Sequence, residues 1–238
     1  MNPRIWGPPL WRIMTDVAYK ADRVQNERVV PYAVTFFKSL AFLLPCKYCR
    51  QSYRQYITNL DVSQYASRRN LVKWVWDLKE KVNDKLKKSQ DYRLPYPVYL
   101  RRVNSVTHSA SPDDVFDFLS VLGLNYKPSE GLKQKYMLMM ISVLPLVLPY
   151  PRFSEFLMKH PIQIQDLATQ ETYLAWLYRL RQKWATKEKL PPLPPQHELY
   201  RRYQNIKAEQ KEPLACQYVL DDPTTWNSEI ADKCRKRQ

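Results

Sequence analysis

Apolar and polar residues alternate along this chain at the spacing of α-helices rather than of strands. Leu10, Ile13, Met14 and Val17 fall on one face, and Ala33, Phe36, Phe37, Leu40 and Leu44 on another. Leu71, Trp74, Val75, Leu78, Val82 and Leu86 make a third stripe at three- and four-residue steps. Recurrence of this kind lines up apolar groups on one side of a helix, where they can be buried together. A shorter, more polar helix is expected from about Cys46. Four amphipathic helices suffice for a bundle, and residues 1–95 are expected to form one.

The next stretch, 96–111, reads as a linker. Prolines give way to small polar residues, up to an N-cap candidate at Ser111 with Pro112 at the first helical position. Residues 112–190 are helical again and look like a worn copy of the first region. "FFKSLAFLLPCKYCRQSY" lies over "LMMISVLPLVLPYPRFSEF", "PLWRIM" over "DVFDFL", and "LVKWVWDLKEK" over "TYLAWLYRLRQK". Trp74 then pairs with Trp176 and Leu78 with Leu180, while the two cysteine positions become Tyr150 and Phe153. Residues 191–238 begin with a stiff proline segment, expected to act as a hinge, and continue as a charged tail holding Cys216 and Cys234.

Composition narrows the picture. The 238 residues include only three glycines. That excludes glycine-rich phosphate loops, argues against many tight hairpins, and leaves an all-α chain. Lys and Arg outnumber Asp and Glu by 38 to 23, for a formal charge of +15. Such an excess draws polyanions, nucleic acid among them, or else forms a solvated basic surface. The longest apolar run, 137–150, contains Pro145 and Pro149 and falls short of the ~20 residues of a membrane span. It reads as a buried core helix. The start lacks the pattern of a secretion signal, so the four cysteines do not suggest a secreted disulfide scaffold.

The candidate chemistry lies in Pro45-Cys46-Lys47-Tyr48-Cys49. Structural zinc commonly needs a second Cys-x-x-Cys or paired histidines. Here His108, His160 and His197 are isolated, and Cys216 and Cys234 are too far apart for a second knuckle. A redox pair fits better. At a helix start both sulfurs lie within disulfide reach, and the helix N-terminus with Lys47 and Arg50 lowers a thiol pKa. Two inert buried thiols remain the bland alternative. A thioredoxin-like site would follow a strand, whereas the preceding segment has helical period.

Three segments in order, "WGPPLWRIMTDVA", "FFKSLAFLLPCKYC" and "WVWDLKEKVNDKL", resemble the Erv/ALR family of FAD-linked sulfhydryl oxidases, most of all versions carried by large DNA viruses. The resemblance implies a four-helix bundle around FAD with a short fifth helix, usually dimeric. The second helical domain would then be a cysteine-less pseudo-Erv copy that makes an intramolecular pseudo-dimer, extends a homodimer, or binds the client protein. It implies a thiol oxidase. Protein dithiols are oxidised to disulfides through the Cys-x-x-Cys, and electrons pass through flavin to O2 to give H2O2. By position, Cys46 is the interchange thiol and Cys49 faces the flavin, forming the charge-transfer or adduct species. Trp11, Val82, Asn83, Leu86 and Lys88 match cofactor-binding positions, and Trp74, Trp76 and Lys85 offer further stacking surface and charge.

The departures from the family are specific. Its first histidine falls at Thr15, and its His-Asn pair at Lys79 and Glu80. Lys79 can replace a histidine as donor but not as acceptor. The family's additional structural cysteine pair is absent after residue 86. Cys216 and Cys234 are candidates for a mobile shuttle pair, although shuttle cysteines are normally closer in sequence. The competing reading is a redox-inactive helical adaptor that kept the fold and binds nucleic acid or a virion protein through its basic surface. The sequence names no compartment; a viral origin would imply host cytoplasm or virion.

Overall fold

The computed structural model of the chain describes residues 3–23, 28–86, 93–105, 110–129 and 131–201, with side chains from Trp6 onward. It is an all-α assembly, with no strand among the described residues. The first half contains α1 (Pro3–Arg23), α2 (Val29–Leu43), α3 (Lys47–Asn59), α4 (Val62–Ser67), α5 (Leu71–Lys85) and α6 (Tyr96–Ser105). The second contains α7 (Pro112–Leu124), α8 (Gly131–Val147), α9 (Pro151–Lys159), a 3-10 turn (Ile164–Leu167) and α10 (Gln170–Lys187). A further helical segment covers 196–201.

The apolar stripes become the core. Ile13, Val17, Ala33, Phe36, Phe37, Leu40, Trp74 and Leu78 are fully buried, and α1 packs on α2 and α5 while α2 packs on α3 and α4. Caps set the helix starts. Ser111 and Asp114 form a reciprocal capping box ahead of α7, with Pro112 in the first turn. Asn70 gives α5 no side-chain cap; the carboxylate of Asp22 on α1 accepts from the backbone N–H of Leu71 (2.8 Å) and Val72 (2.9 Å) instead. One long-range contact thus starts α5 and fixes it against α1.

One expectation changes here. The stretch read as a linker is helical from Tyr96 to Ser105, because the carbonyl of Pro95 accepts from the N–H of Val98 and Tyr99, and Tyr99 and Val103 turn inward. The proline segment after α10 is packed in place, with the Tyr178 hydroxyl donating to the carbonyl of Pro194 at 2.9 Å.

The halves meet along their helices. α2 packs extensively on α8, and α1 on α7. Phe42 and Tyr136 stack across the first pair with ring centres 3.8 Å apart. A polar seam runs along α1. Arg12 pairs with Asp114, Lys20 donates to the carbonyl of Leu148 at 2.7 Å, and buried Asp16 accepts from the N–H of Ala110 and the hydroxyl of Tyr150. One continuous apolar core runs from Trp6 to Tyr200.

Local bonds recur as well. Thr15 donates to the carbonyl of Trp11 at 2.8 Å, and Ser120 to that of Phe116 at 2.7 Å. Trp76 donates to the carbonyl of Leu94 as Tyr178 does to that of Pro194. Tyr99 and Tyr200 are both buried on the short helices that follow.

Candidate dithiol site

Pro45 separates α2 from α3, and Cys46 stands in extended conformation as the N-cap of α3. Its sulfur accepts from the backbone N–H of Cys49 at 3.2 Å, an unusual use of a thiol in the place of a Ser or Asp cap. The Arg50 guanidinium reaches back to the carbonyl of Leu44, bridging the turn between the helices. Both cysteines are half-buried thiols.

The pair divides one proton unevenly. The Cys46 pKa is lowered to about 6, first by the hydrogen bond from the Cys49 thiol, with backbone N–H groups of Cys49 and Tyr48 helping against the cost of burial. The Cys49 pKa is pushed far up, first because its proton is given to Cys46, then by burial and the Cys46 charge. Lys85, in the last turn of α5, opposes that rise; its amine donates to the Ser52 hydroxyl on α3 and its charge favours both thiolates. Burial in turn lowers the Lys85 pKa. The reduced pair is therefore one thiolate on Cys46 and one thiol on Cys49 near neutral pH.

Along α5 from Lys85 back to Lys79 lies about 9 Å of helix axis. Val82 and Leu86 on this stretch are half-buried, as is Trp11 on α1. Asn83 is buried, its amide N–H donating to Glu80 at 2.9 Å. Thr15 and Lys79, the two positions where the family carries histidines, are brought together by Tyr99. The Tyr99 hydroxyl shares a 2.9 Å hydrogen bond with Thr15, and the Lys79 amine lies 5.9 Å from the centre of its ring. Burial raises the Tyr99 pKa to about 12, with the Thr15 bond working against it. Sequence reasoning missed Tyr99 because its segment was read as a linker. The signal was present in the tyrosines at 99 and 200, each following a Leu-Pro stretch.

Other candidates fall elsewhere. Trp74 is core rather than stacking surface, fully buried against Phe37 with ring centres 4.8 Å apart. Trp76 packs on Tyr96 and under the Lys73 amine. Lys88, Cys216 and Cys234 lie outside the described residues. Among the described residues no cluster of three or more His, Cys, Asp or Glu is placed to hold a metal.

The second half shows what the same positions look like without cysteines. Trp11, Cys49 and Val82 correspond in the sequence overlay to Phe116, Phe153 and Trp184. Those rings touch: Phe153 lies 5.4 Å from Phe116 and 4.9 Å from Trp184, and all three are buried.

Residues 9–96 match the Erv1 / Alr family. Over 87 residues the chain is 33% identical to a probable FAD-linked sulfhydryl oxidase of Acanthamoeba polyphaga mimivirus, a match spanning 35% of this chain and 59% of that protein. No solved structure matches. No helix among the described residues is long and apolar enough to cross a membrane. Residues 9–96, which hold the Pro-Cys-x-x-Cys at the start of α3, are thus similar to the Erv1 / Alr family.

Proposed function

We propose that residues 1–95 form an FAD-dependent thiol oxidase and that residues 112–190 are its cysteine-less partner copy, joined to it through residues 96–111, with residues 191–238 a tail in which Cys216 and Cys234 are a candidate shuttle pair. One observation carries the enzymatic reading: Cys46 caps α3 with Cys49 one turn on and Lys85 of α5 beside them, whereas the overlay puts three touching rings at the matching positions of the second half.

Residues of α1 and α5 fit a flat cofactor bearing a diphosphate. Trp11, Val82 and Leu86 would supply apolar surface, Asn83 a buried amide and Lys79 positive charge, with Thr15 and Tyr99 at the end where the resemblance implies histidines; Lys88, which the resemblance adds, lies outside the described residues. FAD held there would supply a two-electron acceptor for the dithiol, with O2, reduced by two electrons and two protons to H2O2, as the final acceptor.

The chain's own residues account for the exchange. A substrate thiolate attacks the Cys46 sulfur of the Cys46–Cys49 disulfide, forming a mixed disulfide and releasing Cys49 as a thiolate that Lys85 stabilises. The second substrate thiolate then attacks the substrate sulfur. Cys46 leaves as a thiolate held by the N–H groups at the start of α3, and Cys49 takes up a proton. The substrate has lost two electrons and gained a disulfide; the enzyme dithiol holds the pair. A low pKa makes Cys46 the better leaving group in this second step.

The test is a visible spectrum of the purified protein with dithiothreitol in air. A yellow protein whose flavin bands bleach and recover while oxygen is consumed supports the oxidase. A colourless protein that takes up no added FAD overturns it and leaves the adaptor reading.

A further inference from the structure

A groove of about 670 Å³ opens beside the dithiol, between α3 of the first half and the start of α8 in the second. Among the described residues its charged lining is Lys47, Arg50, Arg54 and Lys133, with no carboxylate, and Phe42 and Leu132 give it an apolar floor and lip. Lys47 is adjacent to Cys46 in the chain. Arg50 donates to the carbonyl of Leu44, and Arg54 donates to that of Ala41 at 2.9 Å with its guanidinium 4.9 Å from the centre of the Phe42 ring. Leu132 is 60% exposed, an apolar side chain with little covering it.

The charge is not a general property of the fold. In the overlay, Lys47, Arg50 and Arg54 correspond to Pro151, Ser154 and Met158, all uncharged. Gln51 and Gln55 correspond to Glu155 and Lys159, which neutralise each other in a 2.6 Å ion pair. The second copy's cations on this helix, Lys159 and Arg152, are each paired with a glutamate, so uncompensated positive charge on the helix belongs to the half that has the cysteines. A merely solvated basic surface gives no reason for that asymmetry, whereas an anionic segment delivered to Cys46 does.

We propose that this groove docks the acidic segment flanking the dithiol of a protein substrate. The second half contributes Lys133 and Leu132 and so takes part in substrate choice. The proposal rests on the thiol-oxidase reading for its consequence, but the docking is measurable without turnover.

The experiment uses the full chain and two peptides sharing one Cys-x-x-Cys, flanked either by glutamates or by lysines. kcat/KM is expected to be about tenfold higher for the glutamate peptide at low salt, as for several exposed charge pairs acting together. Raising the salt should close the gap. In an Arg54→Glu, Lys133→Glu variant the ratio of glutamate-peptide to dithiothreitol kcat/KM should fall by a similar factor. Cysteine-to-serine peptides labelled for fluorescence anisotropy report binding alone. If they keep the preference while no dithiol is turned over, the docking stands and the oxidase reading falls. Equal kcat/KM for the two peptides on the wild-type chain, a preference that high salt does not weaken, or a duplex DNA oligonucleotide that binds when neither peptide does, each overturns the proposal.

Discussion

Where the first half has Trp11, Cys49 and Val82, the second has Phe116, Phe153 and Trp184. The helices around both sets run in the same order and even share small bonds, such as those of Thr15 and Ser120 to the preceding turn. The interiors differ in kind. Both cores hold buried rings, Phe36, Phe37 and Trp74 in the first half among them, but at these three positions only the second half buries rings against one another, each worth roughly 1.5–3 kcal/mol. At the same positions the first half has Trp11, Cys49 and Val82, all only half-buried, with a hydrogen bond between the two sulfurs. A bundle with nothing to hold fills itself; one that handles thiols keeps reactive groups near its surface and forgoes that packing.

The largest expected effect that sharpens this contrast is catalytic. Cys46→Ser or Cys49→Ser should abolish oxygen consumption with dithiothreitol while the far-ultraviolet circular dichroism stays unchanged; residual turnover in both would break the assignment. Next is stability. Phe153→Ala should lower the free energy of unfolding by about 3–5 kcal/mol in denaturant titrations, as large aromatic truncations do. Cys49→Ala, at the corresponding place, should cost much less, and equal losses would mean that the two interiors are packed alike.

The third effect concerns pH. A thiol reacts as its thiolate, so iodoacetamide labelling of Cys46 in the reduced protein should rise with pH through a midpoint near 6, below that of a free thiol. Lys85→Met removes a charge that favours the thiolate form, so the midpoint should move up and labelling at pH 6 should slow several-fold. Mass-spectrometric quantification of each cysteine checks both. The smallest effect separates the buried tyrosines. Tyr99→Phe removes the bond to Thr15, and Tyr200→Phe the 2.9 Å bond to the Leu174 carbonyl. Each should cost about 1 kcal/mol of stability. Only the first should also weaken FAD binding, read by flavin fluorescence on titration.

Much of the architecture was legible in the order of residues because the decisive signals are local. Three- and four-residue spacing marks helix faces, Ser111-Pro112 marks the start of α7, and Pro45 before the Cys-x-x-Cys marks the cap of α3. Tyr99 was not legible. Its partner Thr15 is 84 positions away, and Pro95 and Pro97 made its helix look like a linker although prolines at a helix start are favourable. Lys85 was readable as a cation near the cofactor, but its place beside the sulfurs follows from how α5 meets α3. Trp74 carried the opposite risk: indole chemistry suggested a stacking surface, while its position among Leu71, Val75 and Leu78 already put it in the core.

The joining of α1 to α7 and α2 to α8 within one polypeptide has a consequence for behaviour on dilution. Two separate subunits meeting through such faces would part as their concentration fell, and anything built at their junction would fade with them. Here the second half is tethered, so its local concentration beside the first is set by chain length rather than by expression level. A groove that takes Arg54 from one half and Lys133 from the other stays assembled even when single molecules are scarce.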